Sequence, residues 1–393
     1  KNPITVRWLD INKGDEDNKE YRSRLVAQEI KRDKREDLFA ATPPLEAKKM
    51  LFSMAVTEGY GYLGEDRENG MKIDFIDVSR AYFHAPALRR VYVALPEEEA
   101  EEGMCGMLGK SLYGTRDAAQ NWADAYMKFM EDSGFVKGKA SSCTFWHEKK
   151  EIRVVVHGDD FTALGWKHQL DWFWKKIQER FECKHRGRLG PSKDDLKEMR
   201  ILNRIVCWTE DGIEYEGDQR HVEICMRELG LEEESKELAI PCEKGLKVSE
   251  EEEEYLDGKG STKYRGLTAR LNYLSQDRTD IQYAVKELSK CMANPSAGAM
   301  QKLKRVARYL KGAPRYILRY AYQSKPEGLS AWADTDFAGC QITRKSTSGG
   351  IIMHGEHVIK SWSTNQAVIA LSSGEAEYYG LVKAASVALG VRS

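Results

Sequence analysis

The sequence predicts an α+β fold in which antiparallel strand pairs and amphipathic helices are interspersed along the chain. Three observations lead there. "MKIDFIDV" alternates Met71, Ile73 and Phe75 against Lys72 and Asp74, the two-residue period of a strand. "EIRVVVHG" and "FTALG" are apolar runs on either side of a tight turn, the pattern of an antiparallel hairpin. "QLDWFWKKIQERFE" places Leu170, Phe173, Trp174, Ile177 and Phe181 on one stripe, which marks an amphipathic helix.

The other elements follow in order. Residues 1–40 are charged, with apolar patches in "ITVRWLDI" and "YRSRLVAQEI", and read as a hairpin-like segment. "LEAKKMLFSMAVTEG" spaces Leu45, Met50 or Leu51, Met54 and Ala55 at helical intervals and ends on Gly59. "AAQNWADAYMKFMEDSG" repeats Trp122, Tyr126 and Met130 at four-residue steps. "RILNRIVCWTEDGIEYEG" contains an Asp211-Gly212 hairpin signal, and "QRHVEICMRELGL" is helical again. Residues 232–262 read as an acidic, solvated linker, with an acidic interaction tail as the alternative. "GLTARLNYLSQD" and "DIQYAVKELSKCMANP" make two more helices, the second stopping at Pro295. "AMQKLKRVARYLKG" turns Leu303, Val306 and Leu310 inward and leaves Lys302, Lys304, Arg305, Arg308 and Lys311 elsewhere. Those cations are either a solvated face or a track for phosphates. From Leu329 the chain becomes strand-like and rich in Ser, Thr and Gly, and closes on a helix over Gly374–Leu389.

Composition narrows the class. A length of 393 residues suggests two or three domains. The net charge of −1 shows no overall basic excess, so a nucleic-acid partner would be held by local patches. Eight cysteines without a C-x-x-C pair argue against zinc sites and a disulfide framework and fit a reducing compartment. No apolar run approaches the roughly 18 residues of a membrane span, and no signal peptide is visible. The chain starts at Lys1 and is expected to be part of something longer.

The chemistry concentrates in "VVVHGDDFTALG", where Asp159 and Asp160 sit side by side between apolar runs. Like charges about 4 Å apart repel by roughly 1 kcal/mol in bulk water and by several times that near a protein surface. A divalent cation relieves this, and hard oxygen ligands suit Mg²⁺. Alone, the pair also fits an ordinary turn in solvent. Asp77, at the end of the strand in "FIDVSRAYFHAPAL", adds a third carboxylate. Three carboxylates from neighbouring strands are what two-metal phosphoryl transfer requires.

The blocks around these acids resemble the reverse transcriptase of copia-type retrotransposons, almost end to end. "IDVSRAYFHAPALRRVYVALPEE" resembles that family's first catalytic block. "KSLYGTRDAAQNW" resembles its K-S-L-Y-G-L-K-Q-A-P-R-x-W block, and "VVVHGDDFTALG" its Y-V-D-D block. "STKYRGLTARLNYLSQDRTDI" is similar to T-x-Y-R-S-L-V-G-x-L-x-Y-L-x-x-T-R-P-D-I. The resemblance implies an RNA-directed DNA polymerase with a right-hand architecture. Fingers and palm with antiparallel strands would occupy 1–165, a mostly helical thumb and connection 166–325, and the N-terminal part of a ribonuclease H-like α/β domain 326–393. It implies two Mg²⁺ ions per polymerase site (Mn²⁺ as a substitute), an RNA template, a DNA primer, dNTPs and no membrane. A cytoplasmic virus-like particle or the nucleus is the expected setting.

Carried over by position, Asp77, Asp159 and Asp160 fall on the catalytic carboxylates, with Asp77 and Asp159 holding metal and Asp160 in support. Tyr82 falls on the aromatic under the incoming sugar, where its ring would exclude a ribose 2′-OH; a core aromatic is the alternative. Arg22 and Arg24 fall on the finger segment that neutralises triphosphate oxygens; an exposed strand face is the alternative. This chain departs from the pattern at His157 and Gly158, and at "DAA" (Asp117–Ala119) in place of "QAP". The family's Gln positions nucleotide or template, so an acid there bears on efficiency without touching a metal ligand.

"LSAWADTDFAGCQITRKSTSGG" and "VIALSSGEAEYYGLVKAAS" resemble the start of ribonuclease H. Asp334 and Glu377 match its first two metal ligands, and Asp336 and Glu375 are the runners-up. Glu377 is preferred because small Gly380 follows at the offset that fold wants. The chain ends at Ser393, before the elements expected to supply the remaining acids, so ribonuclease H activity is expected to be absent. His84, His147, His221, His354 and His357 lack metal-ligand spacing and read as structural. Two other readings stand beside the polymerase: a decayed, non-catalytic nucleic-acid-binding remnant, and an unrelated metal-dependent phosphatase.

Overall fold

The computed structural model describes residues 3–12, 19–30, 38, 40–243 and 254–393. The chain divides into two compact units: Lys1–Lys48 with Met71–Arg188, and Lys49–Gly70 with Leu189–Ser393. It is mixed α and β, and its named strand pairings are antiparallel.

The first unit begins with β1 (Val6–Asn12) and β2 (Tyr21–Ala27), paired antiparallel from Val6↔Ala27 to Asn12↔Tyr21, the expected hairpin. Helix α1 (Leu45–Ala55) starts here, and its part from Lys49 onward belongs to the second unit. Then come β3 (Lys72–Val78), the short pair β4 (Tyr92–Val93) and β5 (Gly106–Met107), α2 (Ala118–Asp132), β6 (Val136–Lys137) and β7 (Thr144–His147). The unit closes with β8 (Ile152–His157), β9 (Asp160–Gly165), α3 (Lys167–Gln178) and β10 (Cys183–Leu189). Six of these strands form one sheet in the order β10-β3-β9-β8-β7-β6.

One face of that sheet carries Ile76, Val78, Phe161, Ala163, Val154 and Val156. It packs on Trp122, Tyr126 and Met130 of α2 and on Leu170, Phe173 and Ile177 of α3, the stripes read from the sequence. Because α3 shares this core, the break expected at 165/166 falls inside a packed unit, which runs on to Arg188.

The alternation in "MKIDFIDV" marks β3 as a strand, but burial does not follow the alternation. Met71, Ile73 and Phe75 are buried, but so are Lys72 and Asp74, the latter completely. Asp74 lies opposite Ala163 on the same face as Ile76 and Phe161, the face that α2 and α3 cover, so its carboxylate meets no solvent. Arg188 on β10 supplies the compensation with bonds of 2.6 and 2.8 Å to its two oxygens, and His185 approaches at 3.1 Å. Arg188 also reaches Asp171 on α3 at 2.8 Å. Burial pushes the Asp74 carboxyl up, but the Arg188 and His185 hydrogen bonds outweigh it and hold the group below its ordinary range.

The second unit has a four-stranded antiparallel sheet of β11 (Glu198–Ile201), β12 (Arg204–Thr209), β13 (Gly212–Gly217) and, far along the chain, β14 (Ile317–Ala321). Gly212 sits where the predicted hairpin turns back: its φ is +140°, and a Cβ would lie 2.1 Å from the Tyr320 carbonyl oxygen. Between β13 and β14 run α4 (Arg220–Glu228), α5 (Gly258–Leu274), α6 (Gln282–Lys290) and α7 (Ala297–Gly312), which share a core around Tyr264, Leu271, Leu303 and Leu310. A three-stranded sheet, β15 (Leu329–Thr335), β16 (Thr347–His354) and β17 (His357–Asn365), precedes α8 (Ser373–Arg392).

Two expectations for this unit change. The expected linker at 232–262 is helical from Gly258, because Asp257 caps α5 by accepting from the Gly260 N–H at 2.6 Å. Of its acidic run Glu250–Glu254, all but Glu254 lie outside the described residues. Nor do all the cations of α7 face open solvent. Arg305 pairs with Glu243, Arg308 Nε donates to the Lys236 carbonyl at 2.6 Å, and Lys311 donates to the Glu233 and Ser235 carbonyls. Three of the five cations thus tether the segment before α5.

His354 and His357, isolated in sequence, meet at one buried hydroxyl. Ser53 Oγ lies 2.7 Å from Nδ1 of His354 and 2.8 Å from Nδ1 of His357, and His357 Nε2 donates to the Ala321 carbonyl at 2.8 Å. Burial, aided by the neighbouring His357, pulls His354 down to about 4.

Both buried clusters can be tested by unfolding. Arg188→Met strands the Asp74 carboxylate and is expected to lower stability by about 3 kcal/mol in urea unfolding. In the parent chain that contribution is present above the unfolded pKa of about 3.9 and fades as the pH falls through the lower folded value. The histidine pair acts in a different window. The unfolded chain takes up protons near 6.5 that the folded one accepts only near 4, so stability is expected to drop by on the order of 2 kcal/mol between those values. A His354→Gln, His357→Gln double variant should lose that slope.

Candidate active site

The turn between β8 and β9 is two residues long, Gly158 and Asp159, with His157 paired to Asp160. Gly158 has φ +64°, the left-handed region where glycine carries no steric penalty. The turn is tied at both carbonyls. Trp122 Nε1 on α2 donates to the Gly158 oxygen at 2.8 Å, and the Val78 N–H at the end of β3 donates to the Asp159 oxygen at 2.9 Å.

Beside it, the β3–β9 ladder sets Asp77 directly opposite Asp160. Directly opposed residues of an antiparallel pair project to the same face, and this one is opposite the face that Ile76 and Phe161 turn to the helices. Burial raises the Asp160 carboxyl, and Asp159 and Asp77 add to the shift; Lys48 and Arg186 pull the other way without cancelling it. Arg186 Nη1 lies 3.4 Å from Asp160 Oδ1, and Lys48 is buried.

A second group of predicted residues gathers near the same turn. After β2, the Ala27 N–H donates to the Tyr113 carbonyl at 2.7 Å and the Glu29 N–H to the Gly114 carbonyl at 3.3 Å. Only glycine fits at 114: its φ is +88°, and a Cβ would lie 1.8 Å from the Ala27 oxygen. This close approach seats Tyr113 beside β2, where the Arg24 guanidinium lies 5.2 Å from the centre of its ring. Tyr82, in a single 3₁₀ turn at Ala81–His84, stacks on Tyr113 with centroids 4.4 Å apart and planes tilted by 33°.

Electrostatics place Asp159 in the same neighbourhood. Burial raises the Tyr82 hydroxyl and Asp159 raises it further. Burial also raises that of Tyr113, where Arg24 and Arg22 act against Asp159 and Tyr82. The first unit therefore brings Asp77, Asp159, Asp160, Tyr82, Arg22 and Arg24 into one region. Tyr113 belongs there too and escapes the sequence reading, although it lies inside the "KSLYG" block; nothing in its spacing marks its ring as a neighbour of Tyr82.

The departure at Asp117 has a structural partner. Arg89 donates to both of its oxygens at 3.0 Å and also pairs with Glu29, which accepts the Arg116 N–H at 2.8 Å. Asp117 thus joins a half-buried ion-pair network that ties the end of β2 to the start of α2. A surface groove of about 520 Å³ lined by Pro86, Leu88, Asp124, Phe129, Lys176 and Arg180 contains none of the predicted site residues.

In the second unit, Asp334 is exposed on β15 and Glu377 is half-buried on α8. Helix α8 crosses β15 beside Asp334, since a Cβ at Gly380 would meet Thr335 Cγ2 at 2.6 Å and Ala333 Cβ at 4.0 Å. Glu375 is engaged within its own helix start, where it accepts the Leu371 N–H at 2.7 Å and the Tyr379 hydroxyl at 2.9 Å. Asp336 accepts the Thr347 N–H at 2.6 Å.

Residues 1–192 match the family model described as reverse transcriptase (RNA-dependent DNA polymerase). Over 98% of its length the chain is 26% identical to the Retrovirus-related Pol polyprotein from transposon RE2 of Arabidopsis thaliana. It is 25% identical to that from transposon RE1 of the same plant, again over 98%. Over 96% it is 24% identical to the Retrovirus-related Pol polyprotein from transposon TNT 1-94 of Nicotiana tabacum. The chain spans 25%, 25% and 28% of the length of these relatives. The match to the reverse transcriptase family lies in residues 1–192, and along nearly its whole length the chain is similar to copia-type Pol polyproteins.

Proposed function

We propose that the chain is an RNA-directed DNA polymerase that extends a DNA primer with deoxynucleotides on an RNA or DNA template. The observation that carries this reading is the pairing of Asp77 with Asp160 across β3 and β9, with Asp159 in the adjoining tethered turn. The match of residues 1–192 to the reverse transcriptase family supports the reaction class.

The carboxylates fit a magnesium site by their chemistry. They are hard oxygen donors; burial raises the Asp160 carboxyl, and the nearby Asp159 and Asp77 add to the shift. Among the described residues no three His, Cys, Asp or Glu side chains are set closely enough to hold an ion. Asp77 and Asp159 would hold the metal, with Asp160 kept in a supporting place by Arg186. When bound, two magnesium ions make a primer 3′-hydroxyl more acidic and neutralise charge on the leaving pyrophosphate.

The protein's own part is positioning. Arg22 and Arg24 bind triphosphate oxygens from β2. Tyr82 lies under the sugar, and its ring leaves no room for a 2′-hydroxyl. The tethers on Gly158 and Asp159 keep the turn from moving as charge develops.

In this reading β1–β2 is the finger hairpin, and the six-stranded sheet with α2 and α3 is the palm. The helices and sheet between Leu189 and residue 325 form thumb and connection. Residues 326–393 would be the beginning of a ribonuclease H-like domain, a reading supported by three antiparallel strands followed by a helix. There Asp334 and Glu377 take the metal-ligand positions, and Glu375 is passed over because both its oxygens serve the start of α8. RNA template, DNA primer and dNTPs are the partners, in a cytoplasmic particle or the nucleus.

The purified chain is expected to incorporate dNTPs on a primed RNA template in Mg²⁺. Asp77→Asn and Asp159→Asn should each lower incorporation at least about a hundredfold while leaving the fold intact by circular dichroism. Retained activity in Asp159→Asn would remove the polymerase assignment. Tyr82→Ala should raise use of ribonucleotides relative to deoxynucleotides by about tenfold or more, measured with matched single-nucleotide extensions.

A further inference from the structure

We infer that Tyr113 is the positioning residue that holds the Tyr82 ring in place, so that discrimination between deoxy- and ribonucleoside triphosphates depends on two rings rather than one. This inference rests on the polymerase reading above.

Tyr82 sits in one 3₁₀ turn, preceded by Arg80 in the left-handed region with φ +54°. Such a short element fixes little about a long side chain. Tyr82 packs in part against the core shared by α2 and the sheet, and Tyr113 walls its ring at 4.4 Å between centroids. Offset aromatic pairs at this distance are attractive beyond their buried area.

The wall is itself immobile. Its backbone oxygen accepts the Ala27 N–H, and the next residue is the glycine pressed against the Ala27 carbonyl. Phe83 meets its ring edge-on at 5.8 Å, and Arg24 approaches it at 5.2 Å. Tyr113 therefore touches the residue proposed to exclude the 2′-hydroxyl and one of the two proposed to hold the triphosphate. The ligand class is a nucleoside triphosphate, and the property controlled is the sugar.

The test compares the full chain with Tyr113→Ala and Tyr113→Phe in single-nucleotide extension on a primed template, using one dNTP and its matching rNTP. The readout is the ratio of the two kcat/KM values. Tyr113→Ala is expected to reduce that ratio about three- to tenfold, the worth of one aromatic pair. Tyr113→Phe keeps the stack and should restore the parent ratio. If Tyr113→Ala fails to fold, Tyr113→Leu keeps apolar volume without the flat face and should show the same loss. An active parent with an unchanged ratio in the folded Ala or Leu variant overturns the role of Tyr113 alone. A parent that incorporates no dNTP overturns the polymerase reading and this inference with it.

Discussion

The tethered two-residue turn between β8 and β9 is the constraint on which the rest of the first unit depends. Gly158 accepts the left-handed backbone, the Trp122 indole holds one carbonyl, and the end of β3 holds the next. A turn anchored at both carbonyls cannot swing away from its neighbour, so acids that repel one another are kept together by backbone geometry. Trp122 is itself buried among Tyr126, Phe161 and Phe181. The packing of α2 against the sheet therefore reaches the carboxylates through a single N–H.

The same unit handles its other buried acids in one recurring way. Asp74 takes Arg188, Asp160 takes Arg186, and Asp117 takes Arg89, each guanidinium lying far along the chain from its acid. A charge-assisted hydrogen bond is directional, so each pair fixes where two segments stand as well as offsetting desolvation. Arg186 and Arg188 both lie on β10. That strand thus braces β3 through Asp74 and also reaches the β8–β9 hairpin at Asp160. The Arg89–Glu29–Asp117 network does the same between the end of β2 and α2, beside the loop that presents Tyr113.

Much of this was legible in the residues. The turn was readable because Gly158 and two acids interrupt runs of β-branched residues, and a hairpin needs a break of that kind. The stripes of α2 and α3 were readable because their apolar residues recur at helical spacing, and the structure buries those side chains. β3 reads correctly as a strand, but the burial of its polar residues is not legible. Period-two alternation looks the same whether the polar face meets water or an arginine from another strand. The cations of α7 read equally well as a solvated face or a phosphate track, and three of them instead hold the backbone and one carboxylate of the segment before α5. His354 and His357 look isolated because Ser53, which joins them, lies some three hundred positions away.

By itself the sequence determined the local elements, the two-residue turn with its acids, and the family through blocks in a recognisable order. These depend on interactions within a few residues, where spacing and side-chain type are sufficient. The tertiary structure decided that Asp77 stands opposite Asp160, that Tyr113 supports Tyr82, and that Asp74 and Asp117 are neutralised by particular arginines. Those contacts join positions tens to more than a hundred residues apart. Nothing in local periodicity specifies such a partner, because it is chosen by which strands pair and in what register.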